Sequence, residues 1–263
     1  MPSSLVLSRS SATTLLCDLC IYSVIRFLRK HTKNNHMNQL TRYNPFHQIH
    51  QGLRAMLYHC SLQVQHTNFA DDEQACATIT QLKELIWLFD GHAHTEDTKV
   101  FSLLADKAPE VIADFEQQHD KDHMLAAHLQ GCIEQYEAAV KTSDKVFAGR
   151  QIQFSLAEFT AFNLSHMNME EVIIKELIWQ HYTDEQLHAL TMEIVSSLPP
   201  DKNARYSYWM LKGLHIQEIS EWFCAIQATA PSFVMDQMME LAAAALNSAD
   251  FNEVQKSLAL EMA

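Results

Sequence analysis

From Asn44 onward, apolar residues recur every three or four positions almost without a break, which is the spacing of helices that bury one face. Four long segments precede residue 182. The first starts at Pro45, a residue suited to the first helical turn, and runs to about residue 66. The second follows the acidic stretch "NFADDEQ", where negative charge favours a helix start, and runs to about residue 106. The third opens near Pro109 and fades at "KTSDK", residues 141–145; the fourth spans roughly 146–181. Connections this short make neighbouring helices antiparallel, so the pattern predicts an all-α, up-down-up-down four-helix bundle.

Residues 183–263 continue as shorter amphipathic segments, with Thr183 placed to cap the first and Pro199 and Pro200 separating the next. They are expected to form a C-terminal helical extension packed on the bundle. Trp209, Met210, Trp222, Phe223 and Met235, Met238 and Met239 serve that packing or, alternatively, a protein partner, since methionine-rich faces adapt to partners. Residues 1–43 read differently. They are serine-rich to Thr14 and then carry a short apolar run broken by Asp18, too short to span a membrane. They are expected to be a leader or a poorly ordered segment, with Met37 as an alternative start.

Composition sharpens this picture. Five glycines and six prolines in 263 residues favour long helices. A formal charge of -13 leaves no continuous basic surface for nucleic acid. No membrane association is expected either. Six scattered cysteines (17, 20, 60, 76, 132 and 224) lack the dense framework of small secreted domains and point to a reducing, cytoplasmic setting. Cys60, Cys76, Cys132 and Cys224 are expected to be buried thiols. Cys17 and Cys20 form a lone CxxC, which without a second pair or a flanking βαβ pattern is only weak evidence for metal or redox chemistry.

The fifteen histidines change the picture more, because several interrupt the apolar seams. On the second helix the seam reads Leu85, Leu88, His92, Glu96, Val100 and Leu103. On the third it reads Ile112, Phe115, His119, His123, Ala126 and Ile133. On the fourth it reads Phe159, Phe162, His166, Glu170, Ile173 and Leu177. Residues four apart stack on one helix face, so three such pairs point inward. The first helix adds His50, between Ile49 and Leu53.

One core histidine is ordinary, but two core glutamates are not. A buried carboxylate must be neutralised, paired or bound to a metal, and no lysine or arginine shares these seams near Glu96 or Glu170. Counting back and forward from the connections near Ala70 and Val146, at about 1.5 Å per residue, puts all four helices' polar groups at a similar height, about 30 Å away. Imidazole mixed with carboxylate suits iron, zinc or manganese rather than calcium. The donors exceed what one tetrahedral ion needs, which favours two ions bridged by the carboxylates. A ferritin-like arrangement would need Glu-x-x-His on two bundle helices. Glu116 and His119 supply one such pair, while Glu185 and His188 fall beyond the fourth helix.

One histidine on the first helix, "HAHTE" (92–96), "HDKDH" (119–123) and "HMNME" (166–170) together resemble the hemerythrin-like, HHE cation-binding domain over roughly residues 44–182. The resemblance implies that His50, His92, His119, His123 and His166 are terminal ligands. By the same resemblance Glu96 and Glu170 bridge two non-heme iron ions, and the bound partner is dioxygen or another small diatomic molecule. Oxygen-carrying members place the last carboxylate five residues after its histidine, which here is Glu171. Glu170 lies about 40° round the helix from His166 and Glu171 about 140°, which favours Glu170. His47 competes with His50, which is preferred because Leu53 follows it at the family's spacing. Asp90, His94 and Asp97 are read as solvated or as supports for the ligands.

Three functions fit these residues. The first is a di-iron protein that binds a diatomic ligand for sensing, storage or iron handling. The second is a di-iron oxidoreductase acting on peroxide or nitric oxide, or repairing iron clusters. The third is a helical interaction module stapled by metal.

Overall fold

A computed structural model describes residues 42–261 of the chain. The leader expected over residues 1–43 and the Cys17–Cys20 motif fall outside the described residues, apart from positions 42 and 43.

Helix α1 spans His47–His66 and α2 spans Asp72–Thr95. The latter runs on into a π-helical turn, Glu96–Val100, and a 3-10 turn, Phe101–Leu103. Helix α3 is Pro109–Ala138. Helix α4, Thr142–Met169, passes through a second π-helical turn, Glu170–Ile174, into α5, Lys175–His181. Local chemistry accounts for the starts: Asp71 accepts from the backbone N–H groups of Glu73 and Gln74 ahead of α2, and Pro109 sits in the first turn of α3.

Cross-helix bonds give the topology. Arg54 donates to Asn168, and Ser61 meets Thr160, so α1 and α4 run antiparallel. Lys83 pairs with Glu137 near one end of α2 and α3, and Asp97 with His119 toward the other. Asn163 donates to Asp122 while His166 meets His119, which opposes α3 and α4. The four long helices therefore form an up-down-up-down bundle. Its interior is filled by Leu53, Met56, Leu57, Leu82, Leu85, Leu88, Leu129, Ile133, Ile152, Leu156 and Phe159.

The two π turns explain where the seams depart from expectation. Leu103 is only partly buried, and Leu104 occupies the core in its place; likewise Ile174 is fully buried and Ile173 is not. A π turn accommodates one more residue than an α turn, which moves these two positions by one, while Val100 and Leu177 stay buried where expected. On α4, Asn163 takes the interior position expected for Phe162.

Beyond α5 lie α6 (Asp184–Ser197), α7 (Pro200–Gly213), α8 (Ile216–Thr229), α9 (Ser232–Ala245) and α10 (Ser248–Glu261). Thr183 caps α6 through a reciprocal bond with Gln186. Tyr206 and Trp209 of α7 belong to the bundle's own apolar core. A separate core forms around Leu211, Ile219, Phe223, Met238, Ala242 and Val254. Cys60 and Cys132 are buried, whereas Cys76 is exposed; the neighbouring Ala75 takes the inward position on the first turns of α2. No helix among the described residues is long and apolar enough to cross a membrane.

Candidate metal centre

Each of α1 to α4 carries a histidine to one level of the bundle, and α2 and α4 add a glutamate one turn further on. His50, Glu96, His119, His166 and Glu170 are at most 4% exposed, and His92 is 9% exposed. Two groups of donors emerge: His50, His92, Glu96 and Glu170, and then Glu96, His119, His166 and Glu170. Within each group the ligand atoms all lie within 4.8 Å of one another. Glu96 and Glu170 belong to both.

The distances show how the carboxylates span the two groups. Glu96 Oε1 is 3.1 Å from His92 Nε2 and 3.5 Å from His50 Nε2, while its Oε2 is 3.4 Å from His119 Nε2. Glu170 Oε2 is 3.5 Å from His50 Nε2, and its Oε1 is 3.3 Å from His166 Nε2 and 4.0 Å from His119 Nε2. Each carboxylate turns one oxygen to each group.

Close as they are, these atoms do not satisfy one another. His50 Nε2, His92 Nε2 and all four oxygens of Glu96 and Glu170 are buried and make no hydrogen bond. Leaving a buried polar atom unpaired costs about 1–3 kcal/mol, and more for a charge. Donors aimed at common points, rather than at each other, are what cations between them would satisfy. His119 Nε2 and His166 Nε2 face each other at 3.1 Å, which again fits two lone pairs directed at a shared cation.

The far side of three imidazoles is held. His50 Nδ1 meets Glu171 at 3.1 Å, His119 Nδ1 meets Asp97 at 2.7 Å, and His166 Nδ1 meets Gln118 at 3.1 Å. An Nδ1–H donating outward leaves Nε2 as the inward lone pair and fixes the ring orientation. Aromatic rings hold the same planes: Phe101 stacks on His119 and Phe162 on His166, while Phe46 leans against His50. Glu171 is itself tied to Arg54 at 2.8 Å and to Asn44 at 3.1 Å.

A sequence pattern underlies this. Both inner glutamates open a π turn and are followed directly by an acid, Asp97 or Glu171, that holds a histidine of another helix. Glu171 therefore does lie on the helix flank, as expected, but it supports His50 there. Asp97 supports His119 rather than facing only solvent. Gln118 gave no periodic signal, because a polar residue beside a seam looks like any half-exposed position.

Electrostatics follow from crowding. Burial opposes protonation of His50, yet Glu171, Glu96 and Glu170 hold its pKa up at about 9. His119 is likewise held at about 9 against burial, chiefly by Glu96. Burial instead drives His92 down to about 3. Burial also resists ionisation of both glutamates. The imidazoles overcome it for Glu96, holding it well below the usual carboxylate range, whereas Glu170 is pushed upward by burial and by the charge of Glu96. Two carboxylates at such range resist ionising together unless cations intervene.

His123, expected among the ligands, joins neither donor group. Its side chain is 46% exposed and lies 3.6 Å from Asp90, away from both donor groups. Along α3 the buried seam runs Ile112, Phe115, His119, Asp122, Ala126, Leu129 and Ile133 in alternating steps of three and four, with Cys132 and Tyr136 buried beside its end. From His119 the inward step is three residues, to Asp122, and His123 falls on the flank. Asp122 accepts from Asn163 at 2.6 Å, a buried pair that the apolar seams did not reveal. His47, the rival of His50, pairs with Glu218 of α8 at 2.5 Å instead. His94 is exposed.

Fold and site together define a histidine-carboxylate metal-binding four-helix bundle. The family model for the hemerythrin HHE cation-binding domain matches residues 41–178, just over half of the chain, and the chain belongs to that family. No curated protein and no solved structure matches it.

Proposed function

We propose that the chain is a non-heme di-iron protein that binds dioxygen or a related small diatomic molecule, for sensing, storage or iron handling. The observation that carries this reading is the pair of donor groups sharing Glu96 and Glu170 in the bundle interior. Family membership supplies the cation-binding chemistry, and the imidazole-carboxylate mixture favours iron over calcium, with zinc and manganese as the competing ions. His50 and His92 would hold one ion, His119 and His166 the other, with both glutamates between them. Two ferrous ions would supply electrons and open coordination positions. The chain's own part is to orient the imidazoles through Glu171, Asp97 and Gln118 and to keep water out with Phe46, Phe101, Phe115 and Phe162.

A second reading is a di-iron oxidoreductase acting on peroxide or nitric oxide. It is favoured by the outward position of His123, which leaves four imidazoles rather than five for two ions and so more positions for a substrate. Mixing the reduced iron-loaded protein with oxygen separates the two. A stable charge-transfer band in the visible supports the binding reading, prompt bleaching with turnover of added peroxide supports the enzyme, and a colourless protein isolated with zinc overturns both. A cytoplasmic setting accords with the free thiols Cys60, Cys76 and Cys132.

A further inference from the structure

Three of the chain's five glycines lie where α7 meets α1 and α2. A Cβ on Gly52 would stand 2.7 Å from the backbone nitrogen of Met210 and 2.9 Å from the carbonyl carbon of Trp209. On Gly213 it would stand 2.2 Å from the backbone oxygen of Gln51. On Gly91 it would meet the Lys202 Nζ at 2.4 Å and the Tyr206 hydroxyl at 3.0 Å. Glycine weakens a helix interior relative to alanine; at Gly52 and Gly213 its use is explained by the close backbone approach it allows, and at Gly91 by the room it leaves for the Lys202 and Tyr206 side chains.

The approach falls beside particular ligands. Gly52 is two residues after His50, and Gly91 immediately precedes His92. The Tyr206 hydroxyl donates to the backbone oxygen of Leu88 at 2.6 Å, the carbonyl one helical turn before His92. Trp209 is buried in the same core, and Arg205 pairs with Glu84 on α2. The backbone segments that carry His50 and His92 are thus clamped from outside by α7. His119 and His166 are carried instead by α3 and α4, held to each other through Asp122 and Asn163.

Helix α7 lies beyond residues 41–178, the span of the family match. We propose that α7 is a positioning element for one of the two metal positions, the one served by His50 and His92, so that affinity there is set by residues outside the cation-binding domain. Small displacements of a ligand backbone weaken a metal site, and α7 leaves α1 and α2 little room for them. This rests on the two-ion reading above.

The experiment is anaerobic titration of the metal-free full-length chain with ferrous ion, counting equivalents bound and their affinities. Gly213→Ala and Gly52→Ala are the test variants, and Gly149→Ala is the control. Gly149 packs equally tightly, its Cβ position lying 2.2 Å from the Phe69 ring at the other end of the bundle. Wild type should bind two equivalents. The test variants should keep one and lose at least tenfold in affinity for the other, while the control keeps both. In a His166→Ala background, Gly213→Ala should abolish the remaining tight equivalent; in a His92→Ala background it should change nothing. Two unchanged equivalents in both test variants would overturn the proposal, as would an equal loss in Gly149→Ala. If the glycine variants fail to fold, Tyr206→Phe decides: weakening of one equivalent by several-fold supports the brace, and no change overturns it. A wild type that binds fewer than two equivalents fails the two-ion reading itself.

Discussion

The two halves of the candidate metal centre hold the same donors by different means. His119 and His166 face each other across α3 and α4, with Asp97, 37% exposed, and Gln118 behind them. His50 and His92 are clamped by α7 from outside, with Glu171 and Arg54 behind His50. Charge differs as well. In one half the carboxylates hold His119 at about 9 against burial; in the other they do the same for His50, while burial takes His92 down to about 3. One fold thus presents two donor groups with equal donor sets and unequal surroundings, which share Glu96 and Glu170.

That comparison predicts a hierarchy of effects. The largest should come from the shared carboxylates. Glu170→Ala or Glu96→Ala removes a donor from both groups, and each should cut iron binding at both positions by about a hundredfold or more, measured as iron per chain after gel filtration. Retention of one full equivalent by either variant would show that the carboxylate serves a single ion.

Removing the metal comes next. Four oxygens and two nitrogens lose their only means of satisfaction, and an ion at a thousandfold excess over its Kd stabilises the folded state by about 4 kcal/mol. Chelation should therefore lower the melting temperature by roughly 10 °C. Equal melting of the loaded and stripped protein would contradict a buried, metal-satisfied pair.

Single ligands should act on one half only. His92→Ala and His166→Ala should each reduce the iron content from about two per chain to about one, whereas loss of all iron in both would mean that the halves cannot fill independently.

The supporting acids should matter less. Glu171→Gln and Asp97→Asn keep the fold and should weaken their own half by about 10–100-fold, and His123→Ala should leave iron binding within about twofold, since its side chain faces solvent. An effect of His123→Ala as large as that of His166→Ala would restore it to the ligand set.

How far these residues could be read from sequence varied with the physics involved. Helical period placed His92, Glu96, His119, His166 and Glu170 inward, because an acid or imidazole in an apolar seam is conspicuous, while the choice of His50 over His47 needed the family's spacing to Leu53. It failed at His123, since steps of three and four from His119 are equally helical and only packing against α4, where Asn163 meets Asp122, chooses between them. It failed again at Leu103 and Ile173, displaced by one residue, because a π turn has no hydrophobic signature of its own. The attachment of α7 was legible only in general terms. Gly52, Gly91 and Gly213 acquire meaning when the opposing backbone is known.

Whether two ions share Glu96 and Glu170 can be read from electron paramagnetic resonance of half-reduced, iron-loaded protein. Ions bridged by two carboxylates would be magnetically coupled, giving a mixed-valence signal of low total spin that disappears on full reduction and is absent in Glu170→Ala. A spectrum of isolated high-spin ferric ions alone, unchanged by that substitution, would contradict it.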